Sequence, residues 1–303
     1  MALLRIGYPC LNRSIGCTSS RTFRLKSYTE ELLIQTVSSN LDCLKKTLLY
    51  NAARGILFFR VSSDLVPFAS HPVCKFDWQS YFKDRLSEIG ALIRAKGMRI
   101  SMHPDQFTLI NSIDEKIFDR SSRELLYHAE ILDLMGLDTS AKIQIHVGGV
   151  YNDREESLRR FIRRYGEVDN AIARRLVVEN DERYAVADCL RISREVGLPV
   201  LFDVFHHSVS NKGESVPQAF AEFTPSWDPN RDGIPMVDYS SQLPGGRPGM
   251  HARSIDEGDF LSFLSLSMPH DFDLMLEIKD KEKSALRALE LASHDPRLSG
   301  LRS

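Results

Sequence analysis

From end to end, this sequence alternates short apolar runs with stretches whose apolar residues recur at helical spacing. The segment RLVVENDERYAVADCLRISREVGLPVLFDVFHHSVS, Arg175 to Ser210, shows the pattern clearly. Leu176-Val177-Val178 and Pro199-Val200-Leu201-Phe202 have the length and composition of buried strands. Between them Ala185, Cys189, Ile192 and Val196 keep a helical period, and Gly197 suits the left-handed residue that closes a helix. Strand, helix and strand within about 30 residues form a unit whose strands lie parallel and adjacent. Each strand ends in ionisable residues, so Glu179 and Asp203 arrive at the same end of one sheet.

Carried through the chain, the pattern predicts eight strands. They are Leu3–Ile6, Ile56–Val61, Met98–Met102, Lys142–Val147, the two runs above, Ile234–Tyr239 and Phe272–Ile278. Helical stretches separate them, and 303 residues is an ordinary length for eight such units. The prediction is an α/β chain folded as a (β/α)8 TIM barrel, one domain over residues 1–303. A doubly wound open sheet is less favoured, because no G-x-G-x-x-G follows the first strand. The aperiodic segment 10–27 is long for a compact domain and is expected to be a functional loop. The stretch holding Pro217, Pro225, Trp227 and Pro229 is expected to be irregular, and LRRFIRRY (158–165) to present a solvated helix face.

Composition excludes several classes. A formal charge of −2 gives the whole chain no pull toward nucleic acid, so polyanion binding would need a local basic patch. No apolar run approaches the ~18 residues of a membrane span. MALLRIGYPC reads as a first strand, not a signal peptide, which makes the cytoplasm the expected compartment and a prokaryotic source the presumption. Five cysteines without a C-x-x-C suggest neither a disulfide framework nor a thiolate zinc site. Cys43 and Cys189 fall on apolar helix faces and are expected to be core thiols.

Chemistry gathers at the strand ends. His103 follows strand three, His146 ends strand four, Glu179 follows strand five, and Asp203 with His206 follows strand six. Asp238 lies in strand seven with His251 in its loop, Glu277 is in strand eight, and His71 follows strand two. In a barrel these converge on the C-terminal rim, where active sites of this architecture lie. So many carboxylates and imidazoles together would repel and desolvate one another unless cations neutralise them. Nitrogen and oxygen donors without thiolate suit Mn²⁺, Zn²⁺, Fe²⁺ or Mg²⁺. The donors exceed one tetrahedral shell, so two or three ions are expected, with Glu179 bridging. Two ions roughly 3.5–4 Å apart are the arrangement of phosphodiester hydrolysis. Arg13, Arg21, Arg24, Lys26, Arg60, Arg247 and Arg253 fall on the same side and could meet phosphates. Tyr8, Gln106 and Phe107 are placed where they could wedge into a base stack.

Taken in order, GYPCLN, FFRVSSDLVPFASHP, SMHPDQF, HVGG, VVENDER, DVFHH and RPGMHARS resemble the UV damage endonucleases, related in fold to the endonuclease IV group. The resemblance covers residues 3 to about 280. It implies a metal-dependent barrel with up to three ions, Mn²⁺ first and Zn²⁺, Mg²⁺ or Co²⁺ as alternatives. The implied reaction nicks duplex DNA immediately 5′ to cyclobutane dimers, 6-4 photoproducts and abasic sites. By the resemblance His71, His103, His146, Glu179, Asp203, His206, His251 and Glu277 stand at metal positions, with Glu179, Asp203 and Glu277 catalytic. Tyr8, Asn12, Arg60, Gln106 and Phe107 stand on the DNA side. Three departures are visible: Met236 replaces a lysine beside the metals, Asp238 a metal-binding histidine, and Phe107 a tyrosine. A monomer acting on damaged duplex DNA, away from membranes, is therefore expected. A sugar isomerase of the same barrel type, or a damage-binding protein with weakened cleavage, is the alternative.

Overall fold

The apolar runs pair in the order in which the chain makes them. The structure, a computed structural model, describes residues 4–299. Its strands are β1 (Leu4–Pro9), β2 (Phe58–Val61), β3 (Arg99–Met102), β4 (Lys142–His146), β5 (Leu176–Glu179), β6 (Val200–Asp203), β7 (Met236–Tyr239) and β8 (Phe272–Leu276). All pair in parallel with their sequence neighbours, and β8 closes on β1, giving the expected (β/α)8 barrel. Predicted residue Leu3 lies outside the described residues. The helices are α1 (Glu30–Ala52), α2 (Trp78–Ala95), α3 (Glu115–Leu134), α4 (Arg154–Tyr165), α5 (Asn170–Ala173), α6 (Val186–Val196), α7 (Val204–Val209), α8 (Val216–Phe223), α9 (Glu257–Leu266), α10 (Glu282–Leu291) and α11 (Pro296–Ser299).

Local chemistry explains the boundaries. Thr29 caps α1 by accepting from the Leu32 amide at 3.1 Å, and Leu33, Val37, Leu41, Leu44 and Leu48 bury one stripe of it. Gly197 closes α6 at φ +71°, a conformation that costs a residue with a Cβ. Gly7 lets β1 and β2 approach, since a Cβ there would lie 1.9 Å from the Phe58 carbonyl oxygen. At the N-terminal ends of the strands Asp273 accepts from Arg5 and Arg99, and Lys142 donates to Asp232 at 2.5 Å. These charges pair with one another below the core, leaving the opposite rim for chemistry. Among the described residues, no helix is long and apolar enough to cross a membrane.

Three expectations need correcting. The segment expected to be irregular contains α8, because Pro217 sits in the first helical turn, where its fixed φ helps. Gln218 reinforces that start, its Oε1 accepting from the Ser215 amide at 2.8 Å and from the Ser215 hydroxyl at 2.9 Å. Cys43 is not a free core thiol: segment 10–27 folds back on α1 and pairs Cys17 with Cys43 across a Cα separation of 5.9 Å. Finally, β1 runs on to Pro9, which draws Tyr8 into the barrel wall instead of a loop tip.

Candidate metal centre

Parallel pairing sets functional side chains next to one another at the C-terminal rim. The register places His146 of β4 beside Glu179 of β5, and Asp203 of β6 beside Asp238 of β7. Three groups of donor atoms result: His103, His146 and Glu179; Glu179, Asp203 and His206; Asp203, Asp238 and Glu277. Within each group the atoms lie within 4.8 Å of one another. Glu179 and Asp203 each belong to two groups, so the cluster is continuous. The Nε2 atoms of His103 and His146 stand 3.5 and 3.9 Å from Glu179 Oε2. The His103, His146, His206 and His251 rings follow the rim in an arc, with successive centroids 5.2, 6.0 and 6.5 Å apart.

The neighbouring elements aim these groups. Asp203 caps α7, its Oδ1 accepting from the His206 amide at 2.6 Å, so the first turn of that helix returns His206 toward Asp203. Its Oδ2 is buried without a protein partner. Asn180 extends the β5–β6 pairing by exchanging two hydrogen bonds of 2.9 Å with the Asp203 backbone. His251 lies beside Glu277, where its Nδ1 donates to the Glu277 carbonyl at 2.9 Å. A carbonyl only accepts, so Nδ1 carries a proton and Nε2 is the ring nitrogen that could ligate.

Electrostatics point to a cation site. Burial, then the carboxylates of Asp238, Asp203 and Glu277, push Glu179 well above its ordinary pKa. Burial, with Glu277 and Asp238, does the same to Asp203. Burial also lifts Asp238, to about 6, against the pull of Arg60. Burial acts on Glu277 too, but Arg60, His103 and His251 outweigh it and hold this carboxyl below the usual range. Burial lowers His103 and His146, leaving the neutral imidazoles that bind metals. Buried nitrogens of His103, His146 and His206, and oxygens of Asp203 and Asp238, have no hydrogen-bond partner. Unpaired buried polar atoms are costly, and an ion held at Asp203 Oδ2 would satisfy that oxygen. These buried acidic and histidine groups can hold metal ions.

Other anticipated residues fall elsewhere. His71 is exposed, accepts from the Val73 amide at 3.1 Å, and joins none of the three groups. His251 touches the cluster at Glu277 but is outside the groups. Tyr8 is fully buried, donating to Asn51 Oδ1 at 2.7 Å and accepting from Asn12 Nδ2 at 2.8 Å. Asn12 is buried as well, with its Oδ1 taken by the Ser14 amide. Neither side chain is presented to the surface, because both brace the root of the first loop. Arg60 is buried inside the barrel on Asp238 and Glu277, not displayed for phosphates. Gln106 and Phe107 are exposed, Phe107 by 72%. Arg13, Arg21, Arg24, Lys26, Arg247 and Arg253 are exposed too.

The structure adds residues that the strand-end pattern omitted. Gln144, two residues before His146 and so on the same face of β4, donates to Glu179 Oε2 at 2.9 Å and Asp238 Oδ2 at 2.8 Å. Asp181 Oδ2 stands 3.7 Å from His146 Nδ1, and Glu182 Oε1 3.1 Å from His206 Nδ1. Strand period was a signal for Gln144, whereas the two acids were legible only as part of NDE.

Comparison with known proteins adds a name to this geometry. The family model described as UV-endonuclease UvdE matches residues 4–299. The UV DNA damage endonuclease of Clostridium perfringens (strain 13 / Type A) is 34% identical, covering 94% of this chain and 70% of that protein. The enzyme of the same name from Bacillus cereus (strain B4264) is 31% identical, covering 95% and 94%. A crystal structure described as SacUVDE superposes with a TM-score of 0.92 at 44% identity, covering 96% of this chain and 98% of that one. A D-tagatose 3-epimerase-like protein superposes with a TM-score of 0.59 at 13% identity, which speaks for the barrel alone. Matched along its whole described length, the chain belongs to the UV-endonuclease UvdE family, whose curated relatives are UV DNA damage endonucleases.

Proposed function

We propose that this chain is a DNA repair endonuclease that nicks duplex DNA immediately 5′ to cyclobutane dimers, 6-4 photoproducts and abasic sites, leaving a 3′ hydroxyl and a 5′ phosphate. The observation that carries the reading is the continuous donor cluster, in which Glu179 and Asp203 are each shared between groups. Divalent ions, Mn²⁺ foremost, would be held by His103, His146, Glu179, Asp203 and His206. When bound they supply Lewis-acid activation of water and neutralisation of the phosphate. Glu179 spans the first two groups and Asp203 holds the second to the third, so both fix the reacting region while Glu277 borders it. His251 offers a free ring nitrogen beside Glu277. Phe107, which is exposed, would with Gln106 enter the base stack, and a distorted lesion is the cheapest place to open one. The exposed basic residues of the first and seventh loops would hold the flanking phosphates. The protein would act as a monomer in the cytoplasm, where the DNA of a prokaryote lies.

The test is incision of a duplex carrying one cyclobutane dimer. Wild type with Mn²⁺ should cut once, next to the dimer, and leave the undamaged duplex whole. Glu179→Gln should lower the rate by a factor of about 10³ or more, since it breaks two donor groups together. Equal cutting of damaged and undamaged duplex, or a Glu179→Gln variant as fast as wild type, would sink the reading.

A further inference from the structure

The third donor group differs from the other two because it already contains a cation. Arg60, on β2 and only 3% exposed, reaches past β1 to the β7 and β8 side of the barrel. Its Nη2 donates to Asp238 Oδ2 at 2.5 Å and its Nη1 to Glu277 Oε1. Gln144 adds a second N–H to the same Asp238 oxygen. Those donors occupy Asp238 Oδ2 and Glu277 Oε1 and set a positive charge between the two carboxylates, while Asp238 Oδ1 stays unpartnered. A guanidinium keeps its charge at every accessible pH, and its rigid fork suits two carboxylates. Met236, buried one strand-face position below Asp238, brings no donor in compensation. The other groups hold no cation, although Gln144 also donates to Glu179 Oε2: there His103 and His146 face Glu179, and Asp203 Oδ2 is unpartnered.

Charge balance agrees. Glu179, Asp203, Asp238 and Glu277 are the carboxylates of the cluster. Set against Arg60 and two divalent ions they leave one net positive charge, the complement of a single phosphodiester. A third ion would leave three positive charges crowded into the barrel mouth, each raising the cost of the others.

Resting on the metal-dependent reading above, we propose that Arg60 is a built-in cation standing where a third ion would otherwise bind. The centre therefore takes two divalent ions, one at His103, His146 and Glu179 and one at Glu179, Asp203 and His206. Arg60 acts as a positioning residue, holding Asp238 and Glu277 at the border of the site.

Metal counting on the full chain tests this without reference to activity. Metal-free protein is titrated with Mn²⁺ by calorimetry, and bound manganese is measured after desalting. Two ions per chain are expected for wild type and for Arg60→Lys, which keeps the charge. Three are expected for Arg60→Met, which frees the carboxylates at similar volume. Three ions in wild type, or two in a folded Arg60→Met, would overturn the proposal and leave the metal-dependent reading intact. Fewer than two in wild type would overturn that reading itself. If Arg60→Met does not fold, anomalous scattering from Mn²⁺-soaked wild-type crystals decides: no peak between Asp238 and Glu277 supports the assignment, and a peak there refutes it.

Discussion

At the residue scale, the centre depends on groups that carry no charge of their own. Gln144 places one amide nitrogen between Glu179 and Asp238, carboxylates that would otherwise repel across the barrel interior. Hydrogen bonds to charged acceptors are worth about 1.5–3 kcal/mol, and their loss loosens the ligands they orient. Gln144→Leu should therefore weaken Mn²⁺ binding by about 10–100-fold while the melting transition stays cooperative. Calorimetric titration beside a thermal melt checks both halves; unchanged affinity would remove Gln144 from the centre. The acids and histidines were legible in the sequence because each followed a strand. Gln144 was not singled out, since a glutamine at an inward strand position has no chemical signature until its neighbours are known. Arg60 was legible as a basic residue on the correct side, but its partners lie 178 and 217 residues away.

At the element scale, the β5–α6–β6 unit is held by one carboxylate with three tasks. Asp188 Oδ2 accepts from the Ala185 amide at 3.0 Å, capping α6, and also from Arg154 of α4. Its Oδ1 accepts from Lys212 Nζ at 2.9 Å. Burial raises the Asp188 pKa, but Arg154 and Lys212 outweigh it and hold the group below its ordinary value. A folded value below the unfolded one means that the native state binds fewer protons. The stabilisation is complete above the unfolded value of about 3.9 and is lost as pH falls through the native one. Asp188→Asn should cost about 1–3 kcal/mol at neutral pH, with the gap from wild type constant down to about pH 5 and shrinking below about pH 4. Urea unfolding at several pH values measures it, and a gap that widens toward acid would contradict the assignment. The next connection, from β6 to β7, shows why α8 was hard to read. Proline is a helix breaker in the interior and a helix starter in the first turn, and only the cap at Ser215 distinguishes them.

At the scale of the whole molecule, charge is sorted by the barrel more than by the sequence. A chain of net charge −2 displays Arg21, Arg24 and Lys26 together on the first loop. Asn40 pins that loop to α1 through both the amide and the carbonyl of Arg21, and Cys17–Cys43 fastens it again. A tethered basic loop beside the rim can meet DNA without ordering a long free segment. Replacing all three basic residues by Gln should reduce the slope of log affinity against log salt by about 0.9 for each phosphate no longer neutralised. Fluorescence anisotropy with a dimer-containing duplex across a salt series measures it. An unchanged slope would place the loop off the DNA. By contrast, Arg164 in the LRRFIRRY run is half-buried over Phe118 and spent on Glu115 and Glu167, so that part of the run is not the solvated face expected.

The sequence alone determined the eight strand–helix units, because burial on both faces of a parallel strand demands continuous apolar runs and amphipathic helices to cover them. It also determined which end of the barrel carries chemistry, since His103, His146, Glu179, Asp203, His206 and Glu277 all fall at or just past a strand's C-terminal end. Only the tertiary structure decided which of the candidates meet. Barrel closure brought Arg60 across to Asp238 and Glu277, buried Tyr8 and Asn12 under the first loop, and left His71 outside the donor groups. The physical reason is that hydrophobic periodicity reports burial, which is local, whereas pairing between polar groups depends on register, closure and loop path. Those set distances of a few ångströms between residues far apart in the chain, and they made a rim of acids and histidines into a centre that already holds one of its cations.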